Sequence, residues 1–240
     1  MYQSLNNSLL KPMKHYQYYL LLLLILLSGS TLAQSPKKVR WNFNNMDGWE
    51  YAHQDDNPQQ QCSIEKGKLR IFTRAESVDR KKLRTTDKIY TTGRYTWRTY
   101  ISAMGVGDQS SIGSWIYCDD HHEIDFEVGY GKKEVREKLQ AKPDEMIAYM
   151  TTQDHPFQSV PVKVKVGWHL FEIDITSVDG KYKVDWLIDR KTESSVQQTY
   201  GDGIAFHIFC SVENLKFLGD TPASQDNYGL YDYVKYKYHP

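Results

Sequence analysis

An all-β sandwich or barrel is the fold this sequence predicts, and three observations predict it. Short segments in which apolar and polar residues alternate recur at intervals of roughly ten residues. Turn signals stand between them, at Lys66-Gly67, Thr92-Gly93, Asp179-Gly180 and Gly201-Asp202-Gly203. The 240 residues also include 18 Tyr, 6 Trp and 8 Phe, side chains that fit a pleated, half-buried surface.

The strands begin only after a leader. Residues 18–27 form an apolar run of ten, with Lys11 and Lys14 before it and Ser-Gly-Ser-Thr-Leu-Ala after it. A basic flank, a short apolar stretch and a small-residue site predict a signal peptide over 1–33, cut after Ala33, with Met13 the more natural start. The run is too short to span a bilayer, which takes roughly 20 apolar residues. The product expected is an exported protein, periplasmic or extracellular, with no membrane segment in its mature form. Without the leader the net charge falls from zero to slightly negative, since it carries two lysines and no acid. That balance argues against nucleic acid as a partner, because phosphate binding wants a basic surface. Residues 34–240 show no repeat, linker or composition break, so they predict one domain.

In chain order, residues 68–73 and 94–101 alternate and are rich in β-branched and aromatic residues, and both predict strands. Residues 123–128 read Glu-Ile-Asp-Phe-Glu-Val, a strand with an acidic and an apolar face. Residues 132–142 are charged, have little apolar face and end at Pro143, which predicts a surface loop or one short helix. Strands follow over 167–173, 181–188, 204–211 and 231–236. Cys62, Cys118 and Cys210 match no metal or redox spacing. At most one disulfide is possible among them, and buried free thiols serve as well.

The acidic strand carries the chemistry. Alternation points Glu123, Asp125 and Glu127 to one face while Ile124, Phe126 and Val128 enter the core. Three carboxylates in a row repel one another, a costly arrangement for an ordinary strand. His121 and His122, beside Asp119 and Asp120, suggest a metal at first sight. Adjacent histidines on a regular strand point to opposite faces, so no metal site is expected. G-x-S-x-G, H-E-x-x-H and phosphate-loop motifs are missing from the sequence, which gives serine-hydrolase, zincin and nucleotide readings no support.

Glu-Ile-Asp-Phe-Glu over 123–127 resembles the E-x-D-x-E signature of glycoside hydrolase family 16, in the form of lichenase-like glucanases and xyloglucan endotransglycosylases. Gly-Arg-Tyr-Thr-Trp-Arg over 93–98, Gly-Trp-His-Leu-Phe-Glu-Ile over 167–173, Lys-Val-Asp-Trp-Leu-Ile-Asp over 183–189 and Tyr-Asp-Tyr-Val-Lys-Tyr over 231–236 are similar to further family strands, in the same order. The resemblance implies a concanavalin-like jelly-roll sandwich of two curved antiparallel sheets. It also implies retaining hydrolysis of internal β-glycosidic bonds in a polysaccharide or oligosaccharide, without a cofactor. Glu123 is then the nucleophile, Glu127 the general acid/base, and Asp125 the carboxyl between them. A retaining pair stands about 5–5.5 Å apart, whereas positions i and i+4 of a strand are about 13 Å apart. Both glutamates are therefore expected to lean inward over Asp125.

For sugar contact the resemblance and the strand faces suggest Arg98, Trp115, Tyr117, His121 and Tyr130, with Trp186 as a further stacking candidate. Trp97 and Trp168 are assigned to the core. The sequence also departs from the family: Thr96 replaces a cleft glutamate, His121 a tryptophan and Tyr149 an asparagine. The strand over 204–211 lacks an Asn-x-Trp. The intact acidic triple favours an enzyme, a hydrolase or a transglycosylase. The altered contacts favour a lectin-like sugar-binding module on the same sandwich.

Overall fold

The computed structural model describes residues 35–52 and 54–240; the predicted leader over 1–33 lies outside the described residues. Ser35–Pro240 forms one compact unit. Its strands are β1 (Lys38–Trp41), β2 (Trp49–Tyr51), β3 (Cys62–Glu65), β4 (Lys68–Thr73), β5 (Arg80–Thr85), β6 (Gly93–Ile101), β7 (Ser110–Asp119) and β8 (His122–Gly129). After the helix α1 (Lys133–Leu139) come β9 (Glu145–Thr152), β10 (Gln158–Lys165), β11 (Gly167–Val178), β12 (Lys181–Ile188), β13 (Lys191–Gly201), β14 (His207–Asn214) and β15 (Asn227–Tyr238).

Two antiparallel sheets make the sandwich. The front sheet runs β10-β9-β8-β7-β14-β5-β2; the back sheet runs β13-β12-β11-β6-β15-β4-β3, with β1 added on β15. Alternation sorts the side chains as the sequence predicts. From β8, Ile124, Phe126 and Val128 are buried between the sheets, and from β6 so are Tyr95, Trp97 and Ile101.

Three back-sheet side chains reach across this core to main-chain carbonyls of the front sheet. Trp97 Nε1 donates to Phe209 O at 2.9 Å, and Trp186 Nε1 donates to Asp125 O at 3.0 Å. The Tyr231 hydroxyl donates to Gly113 O at 2.6 Å and accepts the Ser211 amide at 3.1 Å. A buried indole or phenol with no partner costs roughly 1–3 kcal/mol, so these bonds fix how the sheets stack. They tether β8, β7 and β14 directly beneath the acidic row.

The charged stretch after β8 forms the short helix α1. It ends on Gln140 in the left-handed region (φ 51°), whose amide bonds back to the last turn. Arg136 is buried against the sheet, donating to the carbonyls of Tyr130, Lys142 and Glu145. All three cysteines are free thiols, Cys210 in the core.

Candidate active site

Register across the front sheet assembles the site. Asp125 on β8 stands opposite Trp115 on β7 and Thr151 on β9, and Trp115 stands opposite Phe209 on β14. One step along, Tyr149, Glu127, Gly113, Ser211 and Lys82 form a second row over β9, β8, β7, β14 and β5. Side chains in such rows share a face. This face is the floor of a cleft of about 890 Å³ that includes Glu123, Asp125 and Glu127.

Gly113 opposite Glu127 leaves the Glu127 side chain room. A Cβ at Gly113 would lie 2.9 Å from Glu127 Oε1 and 2.2 Å from Ser211 Oγ. The carboxylate occupies that room and accepts a hydrogen bond from Ser111 Oγ. Burial, the negative charge of Glu213, and that of Glu123 push the Glu127 pKa up to about 8; the Ser111 bond and Lys82 pull the other way. Glu127 therefore holds its proton at neutral pH.

Asp125 is buried to 2% exposure. Its pKa is raised well above the carboxylate range by that burial and by the charges of Glu123 and Glu127. Gln153 Nε2 donates to Asp125 Oδ2 at 2.9 Å and lies 3.4 Å from Glu123 Oε1. Burial, joined by the charge of Glu213, raises Glu123 as well and outweighs the opposite pull of Asp125, Lys82 and Gln153. The interaction between the two acids pulls Glu123 down and pushes Asp125 up. All three carboxyls are thus raised, Asp125 and Glu127 furthest.

A basic wall faces the row. Lys82, 3% exposed, pairs with Glu213 at 2.9 Å and donates to Gln54 Oε1 at 2.6 Å. Arg80 holds the same Glu213 oxygen at 2.6 Å. Lys82 Nζ also stands 5.2 Å over the Trp115 ring. Trp115 in turn stacks on Phe209, with centroids 3.9 Å apart and planes 13° from parallel, and donates to Ser211 Oγ at 3.0 Å. Sequence reasoning missed Lys82, Arg80, Glu213, Phe209, Gln153 and Ser111. The alternating charges at 80, 82 and 84 were the signal available for the wall.

Of the residues suggested for sugar contact, Trp115 and Tyr117 line the cleft, as does Tyr149, which stands where the family has an asparagine. Tyr117 stands opposite Glu123 and donates to Asp120 Oδ1 at 2.7 Å. Others lie elsewhere. Arg98 belongs to β6 in the back sheet, where its neighbours Trp97 and Thr99 fill the core, so it points out on the opposite face. There it pairs with Asp232 at 3.5 Å and covers Trp168 at 5.4 Å, which takes Trp168 out of the core as well. Tyr130 packs under the Arg136 guanidinium at 3.9 Å, beside α1 and outside the cleft. Trp186 is fully buried between the sheets. His121 lies in the turn before β8 rather than on the strand, with Nδ1 3.1 Å from Asp154 Oδ2. Thr96 is buried and donates to Glu172 Oε1 at 3.3 Å on the back sheet.

No family model matches the chain, and no curated protein does. Solved structures do. A β-glucanase of Bacillus licheniformis is 15% identical with a TM-score of 0.59, over 86% of this chain and 100% of that one. A Crh5 transglycosylase in complex with NAG is 12% identical with a TM-score of 0.61, over 86% of each chain. A glycoside hydrolase family 16 endo-glucanase from Bacteroides ovatus is 12% identical with a TM-score of 0.56, over 82% and 99%. The chain thus has the concanavalin-like jelly roll of the family 16 glucanases.

Proposed function

We propose that this protein is an exported, retaining endo-glycosidase of the family 16 type, acting on internal β-linkages of a polysaccharide. The observation that carries the reading is the row of three carboxyls on the cleft floor, with Glu127 pushed up to about 8 and Glu123, raised less, drawn back down by Asp125 and Lys82. In the first step the Glu123 carboxylate attacks the anomeric carbon. Glu127 gives its proton to the leaving glycosidic oxygen, so one C–O bond forms as the other breaks. In the second step Glu127, now ionised, takes a proton from water. That water attacks the same carbon and releases Glu123. Asp125 keeps Glu123 oriented through both steps, and Gln153 bonds Asp125.

The fold shared with a transglycosylase supports a variant of the second step, in which an acceptor sugar replaces water. Trp115 on Phe209 offers a stacking surface, and the exposed rings of Phe157 and Phe217 border the same cleft. The test is turnover of a panel of β-glucans, galactans and xyloglucan by the native protein and by Glu123→Gln. Native turnover with a loss of at least about 10³-fold in the variant is expected. Equal turnover removes Glu123 as nucleophile, and binding without turnover replaces the enzyme by a sugar-binding module.

A further inference from the structure

At one end of the cleft, two turns bring together three donors that the chemistry above does not use. His121 lies in the turn between β7 and β8, and Asp154 and His155 lie in the connection from β9 to β10. Pairing of Ile124 with Thr152 puts both turns at the same end of the sheet. We propose that His121, Asp154 and His155 form a binding site for a divalent transition metal of the zinc type, which clamps these turns together. The inference is independent of the glycosidase reading.

The distances suit such an ion. His121 Nδ1 is 3.1 Å and His155 Nε2 3.6 Å from the same Asp154 oxygen, Oδ2, and all three donor atoms lie within 4.8 Å of one another. Tetrahedral zinc with ligand bonds of about 2.0–2.1 Å separates its ligands by about 3.4 Å. Two edges of that tetrahedron are therefore already formed, and rotation of exposed imidazoles closes the third. The other Asp154 oxygen accepts the His155 amide at 2.7 Å, which orients the carboxylate and leaves Oδ2 facing the histidines. His122, held by Asp119 at 2.7 Å, stacks on the His155 ring at 5.7 Å. Two imidazoles and one carboxylate select a zinc-like metal over calcium, which takes six to eight oxygens. The fourth position faces solvent and is open to water.

Adjacent strand histidines cannot share an ion, and here they do not. His121 leaves the strand for the turn, and its partner is His155, 34 positions later in the chain. The ion would also stiffen the cleft end, because Gln153, next to Asp154, bonds Asp125.

The test titrates the purified, tag-free protein with Zn²⁺ by calorimetry and with Co²⁺ by visible absorption. One bound equivalent is expected, with the intense visible bands of tetrahedral Co²⁺ and a higher Tm when Zn²⁺ is present. His121→Ala and His155→Ala should each weaken binding at least about 10–100-fold. His169→Ala, which breaks a His–Asp pair elsewhere on the surface, should leave it unchanged. All three histidines are on or near the surface, and circular dichroism checks that each variant is folded. No saturable equivalent, or affinity unchanged in both His121→Ala and His155→Ala, would overturn the site. So would an equal loss in His169→Ala.

Discussion

Glu127 shows how a single side chain is set for its task by what surrounds it. Its proton is held by burial and by two like charges, Glu213 and Glu123, against the pull of Ser111 and Lys82. If it acts as the general acid, activity requires Glu127 protonated and Glu123 ionised. The pH profile of kcat/KM is then a bell whose alkaline limb lies near about 8, with an acid limb set by Glu123 above the ordinary glutamate value. The same shift bears on stability. A carboxyl whose pKa is raised on folding binds more protons in the folded state, so its contribution is fully present below about 4.5 and is lost as pH rises through about 8. Glu127→Gln removes that loss. The variant should gain on the native protein between pH 5 and pH 9 by on the order of 4 kcal/mol, read as about 8–16 °C in Tm. A Tm difference that does not change with pH would contradict the raised pKa.

At the scale of the element, the site is a matter of register. Gly113 on β7 faces Glu127 on β8, and its missing side chain is what allows the carboxylate to lie over the neighbouring strand toward Ser111. In Gly113→Ala the new methyl would meet Glu127 Oε1 and Ser211 Oγ. We expect kcat to fall on the order of 10²-fold, since small displacements of a catalytic group cost that much, with KM changing little. Unchanged kcat would show that Glu127 does not depend on this space. The acidic strand was legible because its two faces differ so sharply in polarity. β5 was not, because Arg80-Lys-Lys-Leu-Arg-Thr hides its period. Lys81 occupies a core-side position and reaches Asp55 at 2.8 Å, so charge runs continuously across both faces. With β5 unread, the wall of Arg80 and Lys82 facing the acids was unread too.

At the scale of the whole molecule, the two sheets divide the labour. The back sheet holds the front one through Trp97, Trp186 and Tyr231, and the cleft stands on the front sheet's outer face. Strand patterns predicted the sandwich well, since alternation and turn residues are local. They could not tell which sheet each strand joins, and this is why Arg98 and Trp186 were expected at the sugar. Arg98 points outward as a cleft residue should, but from the wrong sheet. Trp186 stands on the back sheet too, but faces the core, where its indole bonds the main chain of Asp125. Tyr130 was misplaced by the short helix, whose Arg136 covers its ring. The turns carry what alternation is blind to, and His121 with Asp154 and His155 is the clearest instance.

In the proposed reaction Glu123 and Glu127 work as a retaining pair across Asp125. The most direct test is the anomeric configuration of the first product, followed by proton NMR on a β-linked substrate that the native protein turns over. The β anomer should appear first and the α anomer only later, by mutarotation. An α anomer formed first would mean inversion, and the roles assigned to Glu123 and Glu127 would be wrong.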